Sequence, residues 1–291
     1  MMEDVGSLRT VTVTSTWFHE TLVETANELP PLPQSATRLA ELFTDPDYSI
    51  EDLLRAVELD PTLGGRLLRM ANSSNYGTSQ VGAISEAIVR LGAGTVKSIA
   101  IASSVRPKRG LDLSAFGMTA ESYWQHSVAA VSFSEVLASL RPGDFGTDFS
   151  TAAILHDFGK LVLAKHVSPT QVEMMQHMDP LMSCAEKEMR ILRVNHAEVT
   201  AVVAQHWGLP DRLVKAVQYH HSPENCDDPL THGLNIANQL SWRLEQRQFD
   251  LDAEADYRAH SVSVLKLTEQ EMETAYVDGA LRFEQTLAAY L

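Results

Sequence analysis

A histidine and an aspartate stand side by side in an apolar segment of this sequence, at His156 and Asp157. Ile154 and Leu155 precede the pair, and Phe158 follows it. Burying two ionisable groups costs free energy unless each finds a partner, so the pair must be exposed, hydrogen-bonded or bound to a metal ion. The segment is therefore the first place in the chain to look for chemistry.

Further histidines fall on other predicted helices or helix ends. Imidazole and carboxylate groups that converge from different helices are typical of transition-metal sites in helical proteins. A helix end near Gly159 would let both members of the pair face one site. A metal ion there would lower the pKa of its bound water and polarise a phosphoryl oxygen. The candidate ligands are His126, His156, Asp157, His196, His220 and His221.

A structural alternative stays open for these residues. Each histidine could be a satisfied core or helix-terminal residue whose ring nitrogens bond to backbone carbonyls. Lys160 has two interpretations as well: a cation that binds a phosphate, or a solvated residue near a helix end, where its charge suits the helix dipole.

The elements that would position these residues are helices. We find no strand-like alternation long enough to build a sheet, so the fold class is all-α. Ser49 with Asp52, Ser183 with Glu186, and Asn195 with Glu198 resemble capping boxes. Helical spacing of apolar residues predicts helices over 17–28, 36–43, 50–57, 61–70, 84–91, 96–105, 119–140, 168–177, 183–194, 197–207, 213–221, 232–247 and 268–289, besides the helix of the His-Asp pair.

The amino-acid composition indicates which classes of partner and which cellular compartment are compatible with this protein. The net charge is −15, from 23 Lys plus Arg against 38 Asp plus Glu, which disfavours a nucleic-acid or anionic membrane surface. Cys184 and Cys226 are far apart and form no CxxC pair, which favours a reducing compartment. There is no signal-peptide pattern and no apolar run of about 20 residues. We therefore expect a cytoplasmic protein.

Several ordered motifs resemble the HDOD family, whose name means HD-related output domain. The resemblance covers about residues 22–240, and the segment from about 245 to 291 carries no motif of the family. The motifs are Leu-Pro-Pro-Leu-Pro-Gln at 29–34, Asp60-Pro61, Arg-Leu-Leu-Arg-Met-Ala-Asn-Ser at 66–73, Ile-Ser-Glu-Ala-Ile-Val-Arg-Leu-Gly at 84–92, Trp-Gln-His-Ser at 124–127, Leu-His-Asp-Phe-Gly-Lys at 155–160, His-Trp-Gly-Leu-Pro at 206–210 and His220-His221.

The resemblance implies a compact, two-lobed helical bundle whose C-terminal lobe is similar to HD-type metal-dependent phosphohydrolases. Family members are bacterial signal-transduction proteins, often found beside response-regulator, EAL, GGDEF or kinase modules, and are regarded as regulatory domains without established enzymatic activity. We predict a tail at 1–16, a first lobe at 17–110, an HD-like lobe at 111–247 and a helical extension at 248–291. The basic break at 106–110 marks the boundary between the lobes.

This sequence keeps part of the hydrolase pattern. HD enzymes use a histidine, a His-Asp doublet and a later aspartate, and His126 and the 156–157 doublet match the first two. Asn238 stands where the later aspartate is expected. An amide oxygen is a weaker ligand than a carboxylate and adds no negative charge to hold a cation.

The related HD-GYP phosphodiesterases, which cleave cyclic di-GMP, add further histidines. His196, His220 and His221 look like theirs, and Lys160 looks like their lysine. The Gly-Tyr-Pro stretch that should follow the double histidine is replaced by Ser-Pro-Glu-Asn-Cys at 222–226. The chain therefore retains much of the HD-GYP set but lacks two of its parts.

Three functions are compatible with this pattern. The leading hypothesis is a non-catalytic regulatory protein that binds a signalling protein or a small signal, as a monomer or a homodimer. The second is a metal-dependent phosphohydrolase that uses Fe, Mn, Ni or Zn, with Lys160 on the phosphate. The third is a sensor that binds a nucleotide second messenger without cleaving it. We expect no nucleic-acid partner and no membrane partner.

Overall fold

A computed structural model describes residues 49–58, 61–73, 76, 79–93, 95–96, 99, 110–146, 148–244 and 255–290. Within these ranges the chain is helical and contains no strand, which confirms the all-α prediction. The predicted N-terminal tail and the helices predicted over 17–28 and 36–43 lie outside the described residues, as does most of the helix predicted over 96–105.

The first lobe contains helices α1 (Ile50–Glu58), α2 (Pro61–Ala71) and α3 (Ile84–Leu91). Ser49 caps α1 as predicted: Asp52 N–H donates to Ser49 Oγ at 3.2 Å, and the Asp52 carboxylate accepts from Ser49 N–H at 3.1 Å. The apolar faces of the three helices meet in a core that includes Leu53, Leu63, Leu67, Met70 and Ile88.

The second lobe is built around one long helix, α4 (Ala120–Leu140). Thr119 and Ser122 form a capping box at its start, where Ser122 N–H donates to Thr119 Oγ1 at 3.0 Å. Side chains are buried around most of its circumference, because other helices of this lobe pack on several sides of it. The predicted boundaries, 119–140, agree with the structure.

The remaining helices complete the second lobe. They are α5 (Phe149–Leu155), α6 (Phe158–Leu163), α7 (Pro169–Gln176), α8 (Cys184–Leu192), α9 (His196–His206), α10 (Asp211–Tyr219), α11 (Pro229–Leu244), α12 (Ala255–Val264) and α13 (Glu269–Tyr290), with short 3-10 turns at Ser114–Phe116 and Pro223–Asn225. The two capping boxes predicted in this lobe are present, at Ser183 before α8 and at Asn195 before α9.

Helix α12 lies within the helical extension predicted at 248–291, but the spacing of apolar residues does not predict it as a separate helix. It has no continuous apolar stripe, and Ser261 is buried on the side where it packs against α11. Tertiary packing therefore supplies the stability that its own periodicity does not indicate.

The buried apolar residues form two clusters, one in each lobe, as the two-lobed prediction requires. Helix α13 packs along α4 and also contacts α2, so it links the lobes. The predicted lobe boundary at 106–110 falls outside the described residues except for Gly110, so the domain limits stay predictions. Among the described helices, none has the length and apolar composition that spanning a bilayer requires.

Candidate metal centre

The six predicted ligand residues converge on one cluster in the second lobe. His126 comes from the first half of α4, His196 opens α9, and the His220–His221 pair follows the last residue of α10. The His156–Asp157 pair lies between α5 and α6. All of them are buried except His221, which is half-buried. The residues are thus close enough to act together, while their role as metal ligands stays a prediction.

The His156–Asp157 pair occupies a break between two short helices. Helix α5 ends at Leu155 and α6 begins at Phe158, and the backbone of Asp157 leaves the helical region at φ −97° and ψ 4°. Neighbouring side chains on an ideal helix point about 100° apart. The break relaxes that separation, so the pair faces one site, as the sequence analysis expected from Gly159.

Gly159 lets α6 approach α9 closely. A Cβ atom added at Gly159 would overlap the carbonyl oxygen of His196 and lie 2.8 Å from its carbonyl carbon. Gly159 N–H donates to Thr200 Oγ1 at 2.8 Å, and this hydroxyl lies 2.8 Å from the carbonyl oxygen of His196 and 3.0 Å from that of His156. The contact therefore fixes the backbones of two candidate ligands relative to each other.

One side of the cluster, which we call the amide half, consists of His126, His156, Asn238 and Asp157 Oδ2. His126 Nε2 lies 3.2 Å from His156 Nε2 and 3.0 Å from Asn238 Oδ1. Both imidazole Nε2 atoms lie 3.6 Å from Asp157 Oδ2. His156 Nδ1 lies 2.7 Å from the Ala153 carbonyl, so this nitrogen carries the proton and Nε2 of neutral His156 carries a lone pair.

Lys160 closes the amide half. Its side chain is 2% exposed, and its Nζ donates to Asp157 Oδ2 at 2.8 Å. The ammonium also lies 5.4 Å from the centre of the Trp242 ring, a cation–π distance. The interpretation of Lys160 as a solvated residue is therefore wrong, because its side chain is buried and its ammonium is paired with Asp157 inside the protein.

The opposite side, which we call the histidine half, consists of His196, His220, His221 and Asp157 Oδ1. His196 Nε2 lies 3.1 Å from Asp157 Oδ1 and 2.9 Å from His221 Nε2. His220 Nδ1 lies 2.7 Å from the Val217 carbonyl and must donate to it, so Nε2 of neutral His220 carries a lone pair. That buried Nε2 atom has no hydrogen-bond partner among the described residues.

Glu188 on α8 supports the histidine half, although it is not among the predicted ligands. This carboxylate is fully buried and accepts the His196 backbone N–H at 2.6 Å and the His196 Nδ1–H at 2.7 Å. The Cys184 thiol donates to it at 3.2 Å. The sequence contains one indication of this burial. Glu188 shares a helix face with Ala185 and Leu192, which are buried apolar residues.

The buried charges fix the protonation of the cluster. Burial raises the pKa of Asp157, but Lys160, His156 and His196 outweigh it and hold that pKa well below its usual value. Burial lowers the pKa of His156 to about 3 and that of His220 well below its ordinary value. Burial also opposes the charge on His196, yet the Glu188 carboxylate raises the pKa of His196 to about 8.

The histidine half fits a divalent transition-metal ion. Its four ligand atoms, three imidazole nitrogens and one carboxylate oxygen, lie within 4.8 Å of one another. A tetrahedral ion with ligands at about 2.1 Å holds them about 3.4 Å apart, so small movements would complete such a site. The uncompensated lone pair of His220 Nε2 is the kind of buried acceptor that an ion would satisfy.

Comparisons with known proteins agree with this architecture. The HDOD domain family matches residues 29–223. A candidate phosphohydrolase of Shewanella amazonensis is 25% identical, with a TM-score of 0.67 over 94% of this chain and 100% of its own. A candidate signal-transduction protein of Marinobacter aquaeolei is 23% identical, with a TM-score of 0.74 over 96% of this chain and 67% of its own.

Two further relatives are more distant in sequence. An HDOD domain protein of unknown function from Geobacter sulfurreducens is 20% identical, with a TM-score of 0.68 over 93% of this chain and 98% of its own, which shows a shared fold. An uncharacterized protein of Treponema pallidum is 21% identical over 270 residues, which are 88% of this chain. The match covers 51% of that protein, so this chain spans about half the length of its curated relative.

Proposed function

Because this chain belongs to the HDOD family, we propose that it is a bacterial signal-transduction protein that acts by binding a partner protein or a small signal, and not by turnover. The family match supports a signalling role, as does the likeness to the candidate signal-transduction protein of Marinobacter aquaeolei. The proposal that turnover is absent rests on the cluster itself.

The buried ion pair between Lys160 and Asp157 carries this part of the proposal. A lysine that steadies a substrate phosphate must reach the substrate, whereas Lys160 Nζ is buried and hydrogen-bonded to Asp157 Oδ2 at 2.8 Å. A phosphate group that recruited Lys160 would leave the Asp157 carboxylate without its main cationic partner inside the protein. Leaving one charge of a buried pair unpaired is strongly unfavourable, by about 3–5 kcal/mol.

The amide half lacks the charge that a hydrolytic metal site uses. Asn238 presents its Oδ1 to His126 at 3.0 Å, where an HD enzyme is expected to have a carboxylate. The single carboxylate on this side, Asp157, is neutralised by Lys160. Two neutral imidazoles and a neutral amide hold a cation more weakly than a set that includes two carboxylates.

The proposal is tested by an assay for hydrolysis with the intact chain. Purified protein loaded with Mn²⁺ or Fe²⁺ is offered p-nitrophenyl phosphate, bis(p-nitrophenyl) phosphate and cyclic di-GMP, beside the Asp157→Asn variant. We expect the same background rate from both proteins for every substrate. Hydrolysis by the wild type that Asp157→Asn abolishes would overturn the proposal. Equilibrium binding of cyclic di-GMP without its cleavage would identify a nucleotide as the signal.

A metal-dependent phosphohydrolase is the second candidate, and the histidine half is the observation that favours it. Its residues would hold a divalent ion, which supplies a water of lowered pKa and polarises a phosphoryl oxygen when bound. In that case Asp157 and His196 would orient the ion, and Lys160 would have to leave Asp157 to contact a phosphate. The likeness to the candidate phosphohydrolase of Shewanella amazonensis supports this alternative. The Asp157→Asn comparison above separates the two candidates.

A further inference from the structure

The two halves of the cluster differ in whether their hydrogen bonds are complete without an ion. In the amide half, the lone pair of His156 Nε2 lies 3.2 Å from His126 Nε2. A proton on His126 Nε2 serves both this lone pair and the Asn238 Oδ1 acceptor at 3.0 Å. The unpartnered atom of this half, Asn238 Nδ2, is a donor and offers no lone pair to a metal. The acceptors of the amide half are therefore satisfied by protons.

The histidine half keeps an unsatisfied acceptor. His220 donates its Nδ1–H to the Val217 carbonyl at 2.7 Å, which leaves the Nε2 lone pair buried and without a donor among the described residues. His196 donates its Nδ1–H to Glu188 at 2.7 Å, so its Nε2 is the nitrogen available for a ligand once deprotonated. These two tautomers direct two Nε2 atoms toward one point beside Asp157 Oδ1.

The buried charges beside the two halves also differ in sign. The positive charge of Lys160 lies on the amide half, at 2.8 Å from Asp157 Oδ2. The negative charge of Glu188 lies directly behind His196, on the histidine half. A divalent ion is repelled by the first charge and attracted by the second, and both are buried, where solvent screens them little. The charged group nearest to each half therefore favours a cation beside His196 over one beside His126 and His156.

Solvent access also distinguishes the halves. His221 is the half-buried member of the set, and it lines a cleft of ≈ 670 Å³ together with Arg190, Asn195 and Ser222. His126, His156 and Asp157 are at most 1% exposed, and so are His196 and His220, so among the candidate ligands only His221 reaches toward solvent. An ion or an exchanging water can therefore approach the histidine half along this cleft, past His221.

We propose that the cluster binds a single divalent transition-metal ion in its histidine half, and that the Lys160 ammonium takes the place of a second ion in its amide half. Asp157 divides its carboxylate between the two cations, Oδ1 toward the metal and Oδ2 toward Lys160. The proposal deepens the proposed function, because it describes a bound ion in a protein without turnover. The inference that an ion is bound is independent of the proposed function. Only the role of that ion, in signalling and not in catalysis, rests on the proposed function.

Metal stoichiometry and affinity test this proposal. Untagged full-length protein is stripped with a chelator and reloaded with Zn²⁺, and bound metal is measured by elemental analysis and calorimetric titration. We expect one ion per chain in the wild type and in His126→Ala, and a loss of affinity of about 10-fold or more in His220→Ala. His177→Ala, an exposed histidine that bonds its own helix, is the matched control and should bind like the wild type.

Lys160→Met tests the second part of the proposal. Removing the ammonium frees Asp157 Oδ2, so we expect a second, weaker Zn²⁺ to bind in the amide half, and His126→Ala in the same background to abolish it. Lys160→Gln replaces Lys160→Met if circular dichroism shows that the latter does not fold. If the folded Lys160→Met and Lys160→Gln variants both bind only one ion, the proposal that Lys160 replaces a second ion is overturned.

The other outcomes are equally decisive. A wild-type protein with no ion, with two ions, or with equal losses in His126→Ala and His220→Ala would overturn the single site in the histidine half. Failure of the proposed function looks different: Asp157-dependent hydrolysis by a protein that holds one ion would contradict the absence of turnover and leave this inference standing.

Discussion

Glu188 shows how one residue outside the predicted ligand set can decide which nitrogen of a histidine faces the cluster. Its carboxylate accepts both the backbone N–H and the Nδ1–H of His196, at 2.6 Å and 2.7 Å. This pairing leaves Nε2 directed at Asp157 Oδ1 and His221. A carboxylate behind a ligating imidazole fixes its tautomer and raises its basicity. Glu188 is therefore a positioning residue that acts through His196.

The variant Glu188→Gln should weaken metal binding without removing a ligand. The amide keeps the size of the side chain but loses the charge, so the Zn²⁺ affinity should fall by about 10–100-fold. Calorimetric titration of the stripped protein measures this change. Glu173→Gln, which removes an exposed carboxylate on α7, is the control and should leave the affinity unaltered. Equal affinities in wild type and Glu188→Gln would contradict the positioning role.

At the scale of elements, the junction of α5 and α6 against the start of α9 determines where the candidate ligands lie. His156 and His196 are held relative to each other by Gly159 and Thr200, which join the two backbones directly. A shift of α6 away from α9 would separate Asp157 from His196. The site thus depends on a backbone contact that admits no side chain at position 159.

The variant Gly159→Ala should destabilise the protein strongly. The added methyl group would overlap the His196 carbonyl, which is backbone and cannot move aside as a flexible side chain can. We expect a loss of about 3 kcal/mol in the free energy of unfolding, together with weaker metal binding. Gly65→Ala in α2 is the control, because nothing lies within 4 Å of the added atom. It should gain about 0.5–1 kcal/mol from helix propensity. Denaturant titration would contradict the argument if both variants matched the wild type.

Much of this arrangement could be predicted from the sequence, for identifiable reasons. Caps at Ser49, Ser183 and Asn195 are local and signal their helices directly. The cluster members were found because histidines and an acid are unusual on apolar helix faces. The burial of Lys160 could not be predicted, because residues far away in the sequence, such as Trp242, pack around its ammonium only in the folded chain. The bounds of α12 could not be predicted, because its contact with α11 buries the polar Ser261, which gives no apolar signal in the sequence.

Across the whole molecule, buried neutral histidines make the stability of the fold sensitive to acid. His232 on α11 is 1% exposed, and its Nδ1 lies 3.2 Å from Ser261 Oγ on α12. That hydroxyl bonds to Asn235 Oδ1 at 3.0 Å, and the Asn235 amide donates to the His220 carbonyl at 2.8 Å. Helix α12 is therefore connected through these hydrogen bonds to the segment that carries His220 and His221.

Burial, followed by the neighbouring His260, lowers the pKa of His232. The charged and titratable groups that act on it are His260, Asp227, Asp228 and Glu224. Since the folded-state pKa lies below the unfolded value of about 6.5, the unfolded chain binds the proton more readily. The contribution of His232 to stability is thus fully present above pH of about 6.5 and is lost as the pH falls toward its folded pKa.

The variant His232→Gln should flatten this part of the stability curve. We expect the free energy of unfolding of the wild type to fall between pH 7 and pH 5, and that of His232→Gln to fall less over the same range. Denaturant titrations in the presence of a chelator keep metal loss out of the comparison. His177→Gln, at an exposed position on the end of α7, should reproduce the slope of the wild type. Parallel curves for wild type and His232→Gln would show that His232 does not couple protonation to folding.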